Sequence, residues 1–222
     1  AWTELCTVPD ALWARWMTAS GTPLLLAHDQ PQPDDSAFTR DFDVRTVEQH
    51  LLLLRELPEG TFTLRERRFA SLADRHLIVQ RQQVSAPPGT TLTLQASVEG
   101  RVWSLNGEHL HDHVAEDVDG VLLVTAVTGE RRLPIAVAQT LALTDASGTP
   151  FVPDAATVQL DDPRRPHRTL EVTVGPDGTV LATQCMVVMT GHDLVDPPTR
   201  PSPDRPRPHA DASTVRDAAL AR

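Results

Sequence analysis

The stretch TTLTLQASVEGRVW, running from Thr90 to Trp103, alternates cleanly between apolar and polar residues. Leu92, Leu94, Ala96 and Val98 fall on one side, and Thr91, Thr93, Gln95 and Ser97 on the other. Successive side chains on a strand point to opposite faces, so this is a strand with one buried and one wetter face. The text on either side has the same texture. TFTLRERRFASL sets Phe62, Leu64 and Glu66 against Thr63, Arg65 and Arg67. HLIVQRQQVSA sets Leu77, Val79 and Arg81 against Ile78, Gln80 and Gln82, and Pro87-Pro88-Gly89 then makes a strong turn. Further strands are predicted at Gly120–Val127, Ile135–Leu143, Thr169–Val174 and Thr179–Thr190. The Gly175-Pro-Asp-Gly178 phrase between the last two reads as a hairpin turn. About nine to twelve short strands with frequent turn signals argue for an all-β antiparallel sandwich.

The flanks are less regular. In VPDALWARWMTASGTPLLL, from Val8 to Leu26, one or two short strands are favoured, with a turn at Gly21-Thr-Pro23. A helix capped by Asp10, with Leu12, Trp13 and Trp16 on one face, is the competing reading. HDQPQPDDSAFTR, from His28 to Arg40, reads as a polar loop. From Asp41 the text turns strand-like at Phe42 and Val44, but its phase slips before Leu51. After Asp193 the chain becomes crowded with proline, which suits neither a sheet interior nor a helix. A short helix, capped by Ser213 or Asp211 and carrying Val215, Ala218, Ala219 and Leu220, follows. The expected division is a sandwich domain over 1–194, then a proline-rich linker and the start of a linker helix over 195–222.

Composition narrows the function classes. The chain has 222 residues, 40% of them hydrophobic, and a formal net charge of -10. An acidic chain lacks the clustered cations that bind nucleic acid or anionic membranes, so neither partner is expected. All twenty cations are Arg, and Tyr is absent as well as Lys. That excludes Schiff-base lysine, P-loop lysine and tyrosine acid chemistry. Cys6 and Cys185 do not make a disulfide framework and read as inert buried thiols. No run reaches the roughly 18–20 apolar residues of a membrane span. The first residues lack a basic and then apolar secretion signal, and they open without Met, which reads as a processed or excised segment. A cytoplasmic location is the expectation.

Several groups of residues were weighed for chemistry. His109, His111 and His113, spaced by two in GEHLHDHVAED, would share one strand face, a feasible metal arrangement. The bland alternative, a solvated hairpin with ordinary histidines, is preferred. The acid pairs Asp34-Asp35, Glu116-Asp117 and Asp161-Asp162 offer carboxylates of the kind glycoside chemistry uses, but nothing orients them. Trp13, Trp16 and Trp103 offer aromatic faces for sugar stacking, or else serve a core or interface. Arg65, Arg67 and Arg68 form a local basic patch, read chiefly as solvated or ion-paired. No nucleophile elbow and no glycine-rich phosphate loop is found. The expected site inventory is therefore no catalytic residue, no cofactor and no metal ligand.

The phrase LRERRFASLADRHLIVQRQQVSAPPGTTLTLQASVEGRV, from Leu64 to Val102, resembles the N-terminal sandwich of glycoside hydrolase family 65. The matching elements are Arg67-Arg68-Phe69, Ser71-Leu72, Asp74, His76-Leu77 and Ser97-Val98-Glu99-Gly100-Arg101-Val102, where Glu99 stands in place of the commoner Asp. LCTVPDALWARW at Leu5–Trp16 and TVLATQCMVVMTGHDL at Thr179–Leu194 are similar to flanking segments of that family. The resemblance implies a large antiparallel super-β-sandwich of the galactose mutarotase-like kind, leading through a linker helix to a helical-barrel catalytic domain in the same or a separate chain. In the family the general acid and the phosphate-binding residues lie on that barrel, and disaccharide and phosphate reach the protein there. The implied role here is a non-catalytic sandwich of an α-glucosidic disaccharide phosphorylase or hydrolase, serving packing and homodimerisation. The alternative is a stand-alone carbohydrate- or protein-binding module.

Overall fold

The computed structural model describes residues 7–25, 36–104, 107–129, 131–194 and 210–222. Fourteen strands and one helix lie within them. A small sheet has the order β1 (Asp10–Thr18), β6 (Thr91–Glu99), β13 (His167–Thr173), β12 (Ala155–Gln159). A large sheet has the order β2 (Ser36–Asp43), β3 (Glu48–Leu57), β4 (Gly60–Ala70), β5 (Leu77–Ser85), β14 (Thr179–Thr190), β11 (Pro134–Thr144), β10 (Val121–Thr128), β9 (Leu110–Val118). A short ribbon pairs β7 (Trp103–Ser104) with β8 (Gly107–Glu108). Every pairing is antiparallel.

The predicted alternation builds the core. Leu92, Leu94, Ala96 and Val98 are all fully buried on β6. With Trp16 of β1 and Leu170 and Val172 of β13, Leu92 and Leu94 pack with Leu53, Phe62, Leu64, Val84 and Val180 of the large sheet, while Val98 packs with Leu122, Val124 and Val137. Burying each large aliphatic side chain contributes about 1.5–3 kcal/mol, so this row is a main source of stability. Residues 10–18 form a strand, as favoured, because Trp16 must enter the core while Trp13 stays outside it.

Polar residues cross the interior too. The Trp16 indole donates to Gln82 Oε1 at 2.9 Å, and Gln82 Nε2 donates to Glu66 Oε2 at 2.6 Å. Arg68 lies 2.7 Å from the other Glu66 oxygen. Beside them, Gln80 Nε2 donates to Gln184 Oε1 at 2.7 Å. Glu66 thus keeps its inward position, as the alternation predicted, because Gln82 donates to one oxygen and the Arg68 charge lies beside the other.

Three expectations need correction. The Gly175–Gly178 turn is not a hairpin: β13 belongs to the small sheet and β14 to the large one, so the turn changes sheets. It lies beside the β5-to-β6 connection, which also changes sheets. Ala86 N donates to Gly178 O at 3.0 Å, Gly89 N to Val174 O at 2.8 Å, and Val174 N to Thr90 O at 2.9 Å. Next, the loop expected over His28–Arg40 gives way to β2 from Ser36 onward; positions 28–35 lie outside the described residues. β2 is an edge strand held by its ladder to β3, almost wholly exposed, and so carries no alternation to read. The phase slip before Leu51 is a hairpin turn, with Val47 at φ +57° and Asp43 Oδ1 accepting from Arg45 N at 2.8 Å. Finally, β12 escaped notice for the same reason as β2: it is an exposed edge.

The outer face of the large sheet holds helix α1 (Ala212–Leu220), capped by Asp211 as expected. Val215 and Ala219 are buried against Leu123, Ala136, Ala138, Val187 and Met189. Arg216 clamps it to β9 by donating to both oxygens of Glu116, at 2.6 and 2.9 Å. The proline-crowded segment 195–209 and Cys6 lie outside the described residues; Cys185 is a half-buried free thiol.

Replacing Trp16 by Phe keeps the ring but strands the Gln82 acceptor, and should cost about 1–3 kcal/mol. A urea titration reads this as a lower midpoint at unchanged slope. The helix has its own pH signature. Hydrogen bonds from Arg216 hold the Glu116 carboxyl below its usual range, and the Thr214 N–H does the same for Asp211. Both titrate lower folded than unfolded, so their contribution is whole above the ordinary carboxylate range and drains as pH falls through the folded values. Below about pH 4, amide exchange over 212–220 should rise before that of the core strands.

Candidate functional site

The outer face of the small sheet carries the polar side of the alternation. Trp13 and His167 both stand opposite Ser97, and Arg15 and Thr169 opposite Gln95. At one end β6 stops at Glu99-Gly100-Arg101, and the β12-to-β13 loop folds against it. Gly100 N donates to Arg164 O at 2.7 Å, Val98 N to Pro166 O at 3.2 Å, and Ser97 Oγ to Pro166 O at 2.9 Å. A Cβ at residue 100 would sit 2.9 Å from Arg164 O and 3.3 Å from the His113 ring, so only glycine allows the loop this close. Asp162 shapes the loop by accepting from Arg164 N at 3.0 Å.

Glu99 organises what the loop brings. Its oxygens accept from Arg101 Nε at 2.9 Å and Nη2 at 2.8 Å, and Arg165 Nε lies 3.4 Å away. Arg165 in turn lies across the Trp13 ring, 5.1 Å from its centre. Burial pushes the Glu99 carboxyl up, but hydrogen bonds and charge from Arg101 and Arg165 outweigh it and hold the group below its usual range. The result is a cleft of about 210 Å³ lined by Trp13, Gln95, Ser97, Arg101, Asp162, Arg165 and His167.

The residues singled out in the sequence do not meet here, apart from Trp13 and Asp162. Trp16 is in the core on the opposite face of β1, and Trp103 is 74% exposed on the short ribbon. The three tryptophans therefore form no common platform. Nor do the three histidines share a face. Asp112 has φ +53°, and an extra residue in β9 between the His111 and Val114 pairings breaks the two-residue alternation. His109 is held on both nitrogens: Nε2 donates to Thr7 O at 2.7 Å, which leaves Nδ1 to accept from Ser104 Oγ at 2.9 Å. His111 lies over Gly129, and His113 packs on Gly100. Burial, then the Arg164 charge, push the His113 ring below its usual value. Among the described residues no His, Cys, Asp and Glu group is arranged to hold a metal ion.

Several of the remaining groups are ion-paired. Glu116 is taken by Arg216, and Asp117 lies 3.6 Å from the nearly buried Arg168. Asp34-Asp35 lie outside the described residues. Arg67 pairs with Glu48 and Arg68 with Glu66, so the basic patch is largely neutralised. Gln95, Arg101, Arg165 and His167 were not foreseen as site residues. The only local signal was Gly100, a glycine ending a strand where another backbone passes close.

Comparison with known proteins settles the class. The family model for the N-terminal domain of glycosyl hydrolase family 65 matches residues 3–218, so the chain belongs to that family as its N-terminal domain. It is 26% identical over 200 residues to a 1,2-alpha-glucosylglycerol phosphorylase from Bacillus selenitireducens, covering 88% of this chain and 24% of that protein. Its fold matches a solved structure assigned as a kojibiose phosphorylase from human microbiome, with a TM-score of 0.67 at 10% identity, over 96% of this chain and 25% of that one. The chain thus spans about a quarter of the length of these relatives.

Gly100→Ala should force the β12-to-β13 loop outward at a cost of about 1–3 kcal/mol. The expected readings are a lower thermal midpoint and a changed Trp fluorescence as Arg165 leaves Trp13.

Proposed function

We propose that this chain is the non-catalytic N-terminal sandwich of a family 65 phosphorylase or hydrolase acting on α-glucosidic disaccharides. The observation that carries this reading is the family match over residues 3–218, set against a relative about four times as long. The relative of similar sequence named above is a 1,2-alpha-glucosylglycerol phosphorylase. In such chemistry phosphate replaces a protein nucleophile, so one general-acid carboxylate suffices, and the family resemblance implies that it lies on a helical barrel. Glu116, Asp117, Glu99 and Asp162 are instead tied to Arg216, Arg168, Arg101 and a loop amide.

On this reading residues 1–194 are the sandwich, and 195–222 lead towards the catalytic domain in the same or a separate chain. Docking of α1 by Val215, Ala219 and Arg216 supports a structural role for that segment. The outer face of the large sheet, where Leu52 and Leu54 remain 38% and 40% exposed, suits packing against a further domain or a second copy. The free thiol of Cys185 and the use of phosphate fit a cytoplasmic setting.

Purified 222-residue protein, incubated with phosphate and maltose, trehalose, kojibiose or glucosylglycerol, should release no sugar 1-phosphate. Turnover that a point change within these residues abolishes would overturn the assignment.

A further inference from the structure

We propose that the cleft at the Glu99–Arg101 end of the small sheet binds one uncharged sugar residue. The argument rests on four observations. The first is size: about 210 Å³ lies below the range of drug-sized sites and suits a single pyranose ring. The second is unspent hydrogen-bonding capacity. The side chains of Gln95 and His167 and the Trp13 indole N–H line the cleft and make no hydrogen bond to the described protein. An amide offers both donors and an acceptor, and an imidazole carries two ring nitrogens, groups that can meet vicinal hydroxyls.

Charge is the third observation. Arg101 and Arg165 face Glu99 and Asp162, two cations against two anions. A phosphate would meet guanidinium groups already committed to Glu99, with the Asp162 carboxylate in the same wall. A neutral polyol meets no such opposition. The fourth is rigidity. Ser97 is fully buried and bonded to Pro166 O, Gly100 is bonded to Arg164 O, and Arg165 is held between Glu99 and the Trp13 ring. A wall fixed before the ligand arrives spares the cost of ordering it. Arg165, lying across the Trp13 ring, lines the cleft with a planar guanidinium on which a sugar ring can pack.

The test is titration of the 222-residue chain, by calorimetry and by backbone amide NMR, with methyl α-D-glucoside, D-glucose and, separately, inorganic phosphate. Saturable millimolar binding of at least one sugar is expected, with shifts confined to residues around 13, 95–101 and 162–167. Gln95→Ala and His167→Ala should each weaken it about tenfold, the worth of one or two lost hydrogen bonds, without moving the thermal midpoint. Trp103→Ala, at a residue that does not line the cleft, should leave it unchanged. Three results overturn the proposal: no sugar response at concentrations where the protein stays folded, saturable phosphate binding in place of sugar, or sugar shifts that survive both cleft variants. Binding and turnover are read separately, so an empty cleft would leave the non-catalytic assignment standing, and turnover would not by itself fill the cleft.

Discussion

Two segments leave the large sheet for the small one side by side: Ala86–Thr90 from β5 to β6, and Val174–Gly178 between β13 and β14. A segment that quits a sheet carries backbone donors and acceptors away from the ladder, and these must find partners. Here the two crossings satisfy one another, through Ala86 with Gly178, Gly89 with Val174, and Val174 with Thr90. Because β5 neighbours β14 in one sheet and β6 neighbours β13 in the other, this double corner ties the registers of both sheets together. A slip of one residue in β6 would turn Leu92, Leu94, Ala96 and Val98 out to solvent and bring Thr91, Thr93, Gln95 and Ser97 in.

Between the sheets the filling is not uniform. One apolar cluster gathers around Trp16, Leu94, Phe62 and Val180, and another around Leu12, Val98, Val124 and Val137. The polar chain from Trp16 through Gln82 to Glu66, with the Gln80–Gln184 pair beside it, lies on the inner face of the large sheet. Such a network is stabilising only while every strong group has its partner. Trp16 must therefore sit over Gln82, which fixes where the edge strand β1 lies across β5. The same residue places Trp13 on the outer face, so core and cleft are set by one strand.

The two ends of β6 divide the labour of the domain. At its start lies the double corner that sets the core; at its end Glu99-Gly100-Arg101 sets the cleft. The Leu64–Val102 phrase that resembles family 65 contains both ends. It thus carries one side of the junction of the sheets and the glycine that the Arg164 backbone approaches.

The sequence by itself determined the fold class, the inward rows of the central strands and a capped C-terminal helix, with the cap narrowed to Asp211 or Ser213. These follow from local alternation and capping, which depend on neighbours a few residues away. It also pointed to the family, through a phrase long enough to be specific. It could not show that Gly175–Gly178 changes sheets, because a sheet-switching turn and a hairpin use the same residues. Edge strand β12 was invisible and only the Asp41–Asp43 end of β2 was legible, since exposed strands need no apolar pattern. The histidines looked aligned until a bulge at Asp112 broke their spacing. The cleft was decided by tertiary structure alone: Trp13, Gln95, Arg101 and Arg165 come from β1, β6 and a loop some sixty residues further on, and no local periodicity links them.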